Sequence, residues 1–354
     1  MKCFLIQPFY LKALNAAMIL SSISGIKPTM NRGRGVKARR RKGFKLAAVK
    51  AAILTYSIFP SICLMKKETV AILKQRQFGI PEIFEESASG SLQLLYGDIK
   101  HVLKVPIVNF IFRALAHYEK FLYTGWQQVR PSMLTIHAER AAEGLREPGL
   151  SFVPERYNWE RILGMERLKR VEKIVFTFNY VNPKLLLIAL AWQESLGYRP
   201  IKGGALPSGL IEPGILPGLP SIRLIDFPEA DRRQRDILWD IMTAKHSYDT
   251  ASDYRALVLY PEFLQPVWYG MKEYVSSEEF SLRSRNIKEQ ARQLVHTSFP
   301  YPVAITPDEL AAMYSQKDAA GIMAVIALFS DFLADLIIEG ECIRRFLYPP
   351  SKSS

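Results

Sequence analysis

The 29 residues DIKHVLKVPIVNFIFRALAHYEKFLYTGW, Asp98 to Trp126, return as DIMTAKHSYDTASDYRALVLYPEFLQPVW, Asp240 to Trp268, at a constant offset of 142 positions without a gap. Nine of the 29 aligned positions are identical: Asp98/Asp240, Ile99/Ile241, Arg113/Arg255, Ala114/Ala256, Leu115/Leu257, Tyr118/Tyr260, Phe121/Phe263, Leu122/Leu264 and Trp126/Trp268. Chance would give about two, at roughly one match in sixteen for ordinary composition. The chain is therefore read as a tandem duplication.

Inside each copy the apolar residues recur at helical spacing, as in Ile111 and Phe112 with Leu115, and Leu122 with Trp126. Each copy thus begins as a string of short helices. Further on, Arg161 to Phe178 reads as a helix that breaks at Asn179-Tyr180-Val181-Asn182-Pro183 and resumes as Leu185 to Trp192. Pro183 then occupies the first helical position and Asn182 the N-cap. In the second copy, Pro307 to Tyr314 breaks at Gln316-Lys317-Asp318 and resumes as Ile322 to Leu336. No segment sustains the alternation of a strand, so the fold class is all-α, two helical halves forming a pseudo-dimer with a crevice between them.

Between the copies, Gly197 to Pro228 carries Pro200, Pro207, Pro213, Pro217, Pro220 and Pro228 amid further glycines, which prevents a continuous helix or central strand. The organisation that follows is a basic N-terminal extension (1–64), a first helical repeat (65–200), a linker (201–228) and a second helical repeat (229–350).

The net charge of +13 is concentrated in that extension, where residues 1–64 contain twelve Lys and Arg and no Asp or Glu. Subtracting those twelve leaves +1 for the remainder, so the globular body has no basic bias toward nucleic acid. The extension reads either as a leader, a membrane-surface anchor or a nucleic-acid tail, or as sequence upstream of a true start at Met65. Its apolar runs, Ala13 to Ile23 and Ala51 to Leu64, are shorter than the ~20 residues of a membrane-spanning helix, and stable membrane insertion is not expected. The three cysteines, Cys3, Cys63 and Cys342, form no CxxC or Cys/His pattern, which suits a reducing cytoplasm. The histidines His101, His117, His137, His246 and His296 lack ligand spacing, and Gly-rich phosphate loops are missing, so neither a metal nor a nucleotide cofactor is expected.

Duplication also sorts residues by role. The pairs Arg113/Arg255 and Trp126/Trp268 are alike in both copies and read as scaffold, each arginine paired with the aspartate fifteen residues earlier, Asp98 or Asp240. The copies diverge just before the arginines, where Asn109-Phe110-Ile111-Phe112 faces Ala251-Ser252-Asp253-Tyr254. Ile111 shares a helical face with Leu115 and points inward, so Asp253 occupies an inward position as well. A carboxylate there is partly desolvated, its pKa rises, and it becomes suited to general-base work. The competing reading is a helix start, with Ser252 or Thr250 as N-cap and Asp253 favoured by the helix dipole.

With these residues in place, the chain resembles the group I 2-haloacid dehalogenases of the DehI type, also called the halocarboxylic acid dehydrogenase DehI family. The resemblance runs from about Leu92 to Phe346 and rests on Tyr96-Gly97-Asp98-Ile99-Lys100, on Val105 to Leu115, on Asn182-Pro183-Lys184-Leu185 and on Ser252 to Leu257. It implies an all-helical pseudo-dimer of AhpD-like topology, without the CxxC pair of AhpD itself. It also implies hydrolytic removal of halide from the α-carbon of a 2-haloalkanoic acid, by direct attack of water with inversion and without a cofactor. On that resemblance Asp253 is the base, and an asparagine, Asn182 or Asn179, orients the water, Asn182 being preferred for its place at a helix start. Ser252 holds the substrate carboxylate, Phe110 lines the apolar pocket, and Ile107 and Tyr254 complete the candidate substrate-binding set. Ile107 stands where the family has an aromatic residue. The partner is then a small carboxylic acid, with a homodimer as the candidate assembly. The alternatives are a non-catalytic helical scaffold of the same fold, with Asp253 on the surface, and a hydrolase of another small carboxylic acid.

Overall fold

The structure is a computed structural model that describes residues 79–204, 209–247 and 249–350, so the readings made of the basic extension lie outside the described residues. Twelve α-helices are present among the described residues, in two sets of six. The first set is α1 (Gly90–Leu103), α2 (Phe110–Leu115), α3 (Glu119–Met133), α4 (Ile136–Arg146), α5 (Trp159–Leu163) and α6 (Met165–Leu196). The second is α7 (Arg232–Ala244), α8 (Ser252–Leu257), α9 (Pro261–Val275), α10 (Glu278–Ser298), α11 (Pro307–Met313) and α12 (Gln316–Leu347).

Duplication is visible in the bounds themselves. Helices α2 and α8, and α3 and α9, begin and end 142 residues apart, and α6 and α12 are both 32 residues long. Among the described residues there is no strand, only isolated bridges Thr135 to Leu210 and Ile201 to Val303. The chain from Gly197 to Asp231 contains no helix over its described residues and is held to the body by single backbone bonds, such as Ile211 N–H to Leu134 O at 2.7 Å and Gly214 N–H to His101 O at 2.8 Å.

The same polar clasp fastens each copy. Asp98 accepts from Trp126 Nε1 at 2.7 Å and from Arg130, and Asp240 accepts from Trp268 Nε1 at 2.7 Å and from Lys272. Both tryptophans are fully buried, each contributing on the order of 5 kcal/mol of hydrophobic stabilisation, and the aspartate satisfies the one N–H that burial would otherwise leave unpaired. The expected pairing of Asp98 with Arg113, and of Asp240 with Arg255, is therefore wrong. Those aspartates sit on α1 and α7 facing the third helix of their set, while the arginines turn toward Glu82.

The long helices α6 and α12 pack against each other through the middle of the protein. The predicted break at Asn179 to Pro183 does not occur, because α6 runs unbroken from Met165 to Leu196 with Pro183 inside it and every residue from Val181 to Trp192 buried. Proline removes one N–H bond and crowds the preceding turn, a penalty of about 3 kcal/mol in an isolated helix. Here burial on all sides of the helix outweighs it. Asn182 is consequently a mid-helix residue and not an N-cap. Close approach of the two long helices requires Gly340, since a Cβ there would overlap Asn179 Oδ1, and Asn179 Nδ2 donates to Gly340 O at 3.0 Å. In the second copy the break falls at Tyr314-Ser315, with Ser315 capping Asp318 N–H, so that Gln316 begins α12 and does not interrupt it. Helices α6 and α12 are also long and apolar enough to cross a membrane; 83% of the most apolar stretch of α6 is buried within the protein, as in a core helix, and 50% of that of α12.

Candidate active site

Asp253 is the second residue of α8, a six-residue helix on which every side chain is buried. It is 6% exposed, against 1% for Ile111 at the equivalent position of α2. Asn182 Nδ2, reaching from α6, donates to Asp253 Oδ1 at 2.9 Å. Asn179 is one turn away and engaged with Gly340, so of the two asparagines Asn182 is the one at the carboxylate.

Burial pushes the Asp253 carboxyl up from the usual aspartate range to about 7, against the bond from Asn182 and its own backbone N–H, which favour the ionised form. Glu339 adds to the rise and Lys245 opposes it. These two form a buried ion pair, Lys245 Nζ to Glu339 Oε1, and Tyr254 Oη donates to Glu339 Oε2 at 2.6 Å. Tyr254 also packs edge-on against Trp268, as Phe112 does against Trp126. Tyr254, expected among the substrate contacts, is buried beside Asp253 with its hydroxyl bonded to Glu339 and its ring against the tryptophan clasp.

Neither Ser252 nor Thr250 caps α8, whose N-cap is Ala251 without a side-chain bond. Ser252 Oγ accepts instead from Arg113 Nη2 at 3.0 Å, across from α2. Phe110, the first residue of α2, meets Phe329 of α12 edge-on at 5.2 Å between centroids, and Ile107 is buried just before it. Phe110 and Ile107 thus supply apolar surface from the first copy, and Ser252 and Asp253 supply polar groups from the second. All of them are enclosed, where an open crevice between the halves was expected. Two buried polar atoms flank these segments without a hydrogen-bond partner among the described residues, Asn109 Oδ1 and Thr250 Oγ1.

The arginines read as scaffold have different tasks. Arg113 donates through Nε to Glu82 Oε2 at 2.7 Å, through Nη1 to Val108 O, and through Nη2 to Ser252. Arg255 donates to Glu82 Oε1 at 2.6 Å, Asp226 Oδ1 at 2.7 Å and Ile225 O at 3.2 Å. Glu82, Lys245 and Glu339 were missed as neighbours of the site. Among the described residues no group of three or more His, Cys, Asp and Glu side chains is arranged to hold a metal ion. The raised, buried carboxyl of Asp253 can take a proton, beside the polar Ser252 and an apolar wall of Phe110 and Ile107.

Comparison with known proteins agrees with this chemistry. A family model described as Halocarboxylic acid dehydrogenase DehI matches residues 106–254. A configuration-inverting 2-haloacid dehalogenase of Alcaligenes xylosoxydans xylosoxydans is 30% identical over 268 residues, 73% of this chain and 90% of that protein. An (R)-2-haloacid dehalogenase of Pseudomonas putida is 26% identical over 270 residues, 72% of this chain and 88% of that protein. The solved complex of a D-2-haloacid dehalogenase with L-LA superposes with a TM-score of 0.71 at 24% identity, covering 76% of this chain and 97% of that one, which establishes a shared fold.

Proposed function

The chain belongs to the DehI family, and from that premise we propose that it is a configuration-inverting 2-haloacid dehalogenase, hydrolysing small 2-haloalkanoic acids. The observation that carries the mechanism is the buried Asn182–Asp253 contact of 2.9 Å. Asp253 takes a proton from water as the water oxygen attacks the α-carbon from the side opposite the halogen. The new C–O bond forms as the C–X bond breaks, the halogen leaves with the bonding pair, and the proton on Asp253 is later returned to solvent. Asn182 orients the carboxylate and the water. Ser252 receives the substrate carboxylate, and Phe110 and Ile107 exclude bulk water from the α-carbon.

Burial supports the role given to Asp253. A fully solvated aspartate is a weak base, whereas one raised to about 7 is matched to proton transfer near neutrality. The non-catalytic reading expects no cleft between the halves, with Asp253 on the surface and apart from Asn182; the buried Asn182–Asp253 contact and the dehalogenase relatives disfavour it. Inversion alone does not separate direct attack by water from attack by the carboxylate, because an ester opened at its carbonyl carbon also gives one inversion overall.

The test is halide release from both enantiomers of a 2-chloro acid, followed by a single turnover in isotopically labelled water. Direct attack labels the hydroxy acid in the first turnover, and an ester route labels Asp253 first. Absence of halide release from the intact chain would sink the proposal. We further place the protein in the cytoplasm, a reading supported by Cys342, a free and buried thiol, and checked by cell fractionation.

A further inference from the structure

Glu82 lies before both aligned 29-residue stretches, in the segment Gly79–Phe84, yet its carboxylate is shared by the equivalent arginines of the two copies. Oε2 accepts from Arg113 and Oε1 from Arg255, at 2.7 and 2.6 Å, with all three side chains buried. The ring of Phe84 lies 5.4 Å from each guanidinium carbon, and Ile83 N–H donates to Arg113 O at 3.0 Å. Duplication has brought two like charges to one buried place, where they repel, and this segment supplies the carboxylate that holds them together.

The two arginines do not depend on Glu82 equally. Arg255 has a second carboxylate in Asp226 and donates through Nε to Ile225 O. Among the described residues Arg113 has Glu82 alone for an ionic partner, and its other donors go to Val108 O and Ser252 Oγ. A planar guanidinium bonded through three nitrogens to three segments has its orientation fixed. One of those segments leads into Ile107 and Phe110 and another begins the helix of Asp253. Loss of the Glu82 charge leaves Arg255 held by Asp226 and lets Arg113 withdraw from its neighbour, so the consequence falls on Ser252.

We propose that Glu82 is a positioning residue for the reaction, acting through Arg113 to fix Ser252 and with it the resting place of the substrate carboxylate. The inference rests on the dehalogenase reading for the role of Ser252. Its test is therefore separated from turnover by measuring 2-chloropropionate binding calorimetrically in the Asp253→Asn background. Glu82→Gln is expected to weaken binding about tenfold, Ser252→Ala to weaken it similarly, and the combination to be no weaker than Ser252→Ala alone within about twofold, since coupled residues are not additive. A merely structural role would lower the unfolding temperature and multiply the two binding effects. Should Glu82→Gln fail to fold, Arg113→Lys, which keeps the charge but not the three-way fork, is expected to reproduce the same coupling with Ser252→Ala. Unweakened binding, or multiplied effects, would overturn the proposal. Halide release by the unmodified chain is scored separately, so a failure of the dehalogenase reading and a failure of the tie give different results.

Discussion

Asn182, in the interior of a 32-residue helix, donates a 2.9 Å hydrogen bond to Asp253, the second residue of a six-residue helix. Opposing tendencies meet at this contact. The amide favours the ionised carboxylate, while burial disfavours it, and burial wins because the group rises from the ordinary 3.8 to about 7. A group so placed can accept a proton at neutral pH and give it up again within a turnover.

Replacing Asp253 by Asn keeps the shape and removes the base. Halide release is expected to fall at least about a hundredfold, the usual scale for a general base. Stability should move the other way. An acid raised on folding contributes most below its unfolded pKa, and that contribution is lost as pH rises through about 7. Asp253→Asn should therefore unfold at a higher temperature than the parent at pH 8, with the difference shrinking at pH 4. Calorimetric scans at the two pH values check this.

The pH–rate profile of the parent enzyme follows from the same group. Halide release should be half-maximal near pH 7, fall about tenfold per unit below it, and level off above it, as expected for a base that works only when ionised. Initial rates between pH 5 and 9 measure it, and a midpoint near 4 would mean that another group is the base.

Asn182→Leu tests the amide without opening a cavity, because Leu333 holds the equivalent place in α12. A hydrogen bond to a charged group contributes about 1.5 to 3 kcal/mol. Its loss should raise the midpoint of the pH–rate profile by about one to two units. The plateau should drop as well, since the water loses an orienting partner. An unmoved midpoint would place the amide outside the titration of Asp253.

Much of the fold was legible because duplication repeats its own evidence. The identical residues predicted the helix strings, and the tryptophans emerged as buried anchors. The break at Asn182-Pro183 was misread because local propensity treats proline as a helix start, whereas burial on every side of α6 carries the helix through it. The pairing of Asp98 with Arg113 failed for a related reason, since sequence distance does not reveal that Arg113 faces Glu82, outside the aligned 29-residue stretch.

At the site, comparing copies found Asp253 opposite Ile111, and the same comparison taken further reaches its neighbours. Tyr254 stands opposite Phe112, Lys245 opposite Leu103, and Glu339 opposite Ile188 when the long helices are aligned. In each case the second copy has a polar group where the first has an apolar one. The bond from Arg113 to Ser252 had no such signal, because an arginine kept in both copies looks like scaffold until its partners are seen.

Those neighbours give opposite signs to a last pair of variants. Lys245 favours the ionised form of Asp253 and Glu339 opposes it, and the two are bonded to each other away from solvent. Removing one partner of a buried ion pair costs about 3 to 5 kcal/mol, so Lys245→Met and Glu339→Gln should both lower the unfolding temperature. Their effects on the reaction should diverge. Lys245→Met leaves Glu339 uncompensated and should move the pH–rate midpoint up, while Glu339→Gln should move it down. Thermal unfolding alone would not distinguish a tuned base from a weakened scaffold, but the direction of the midpoint does. Shifts of the same sign in both variants would mean that Asp253 responds to general loosening of the core and not to the charges beside it.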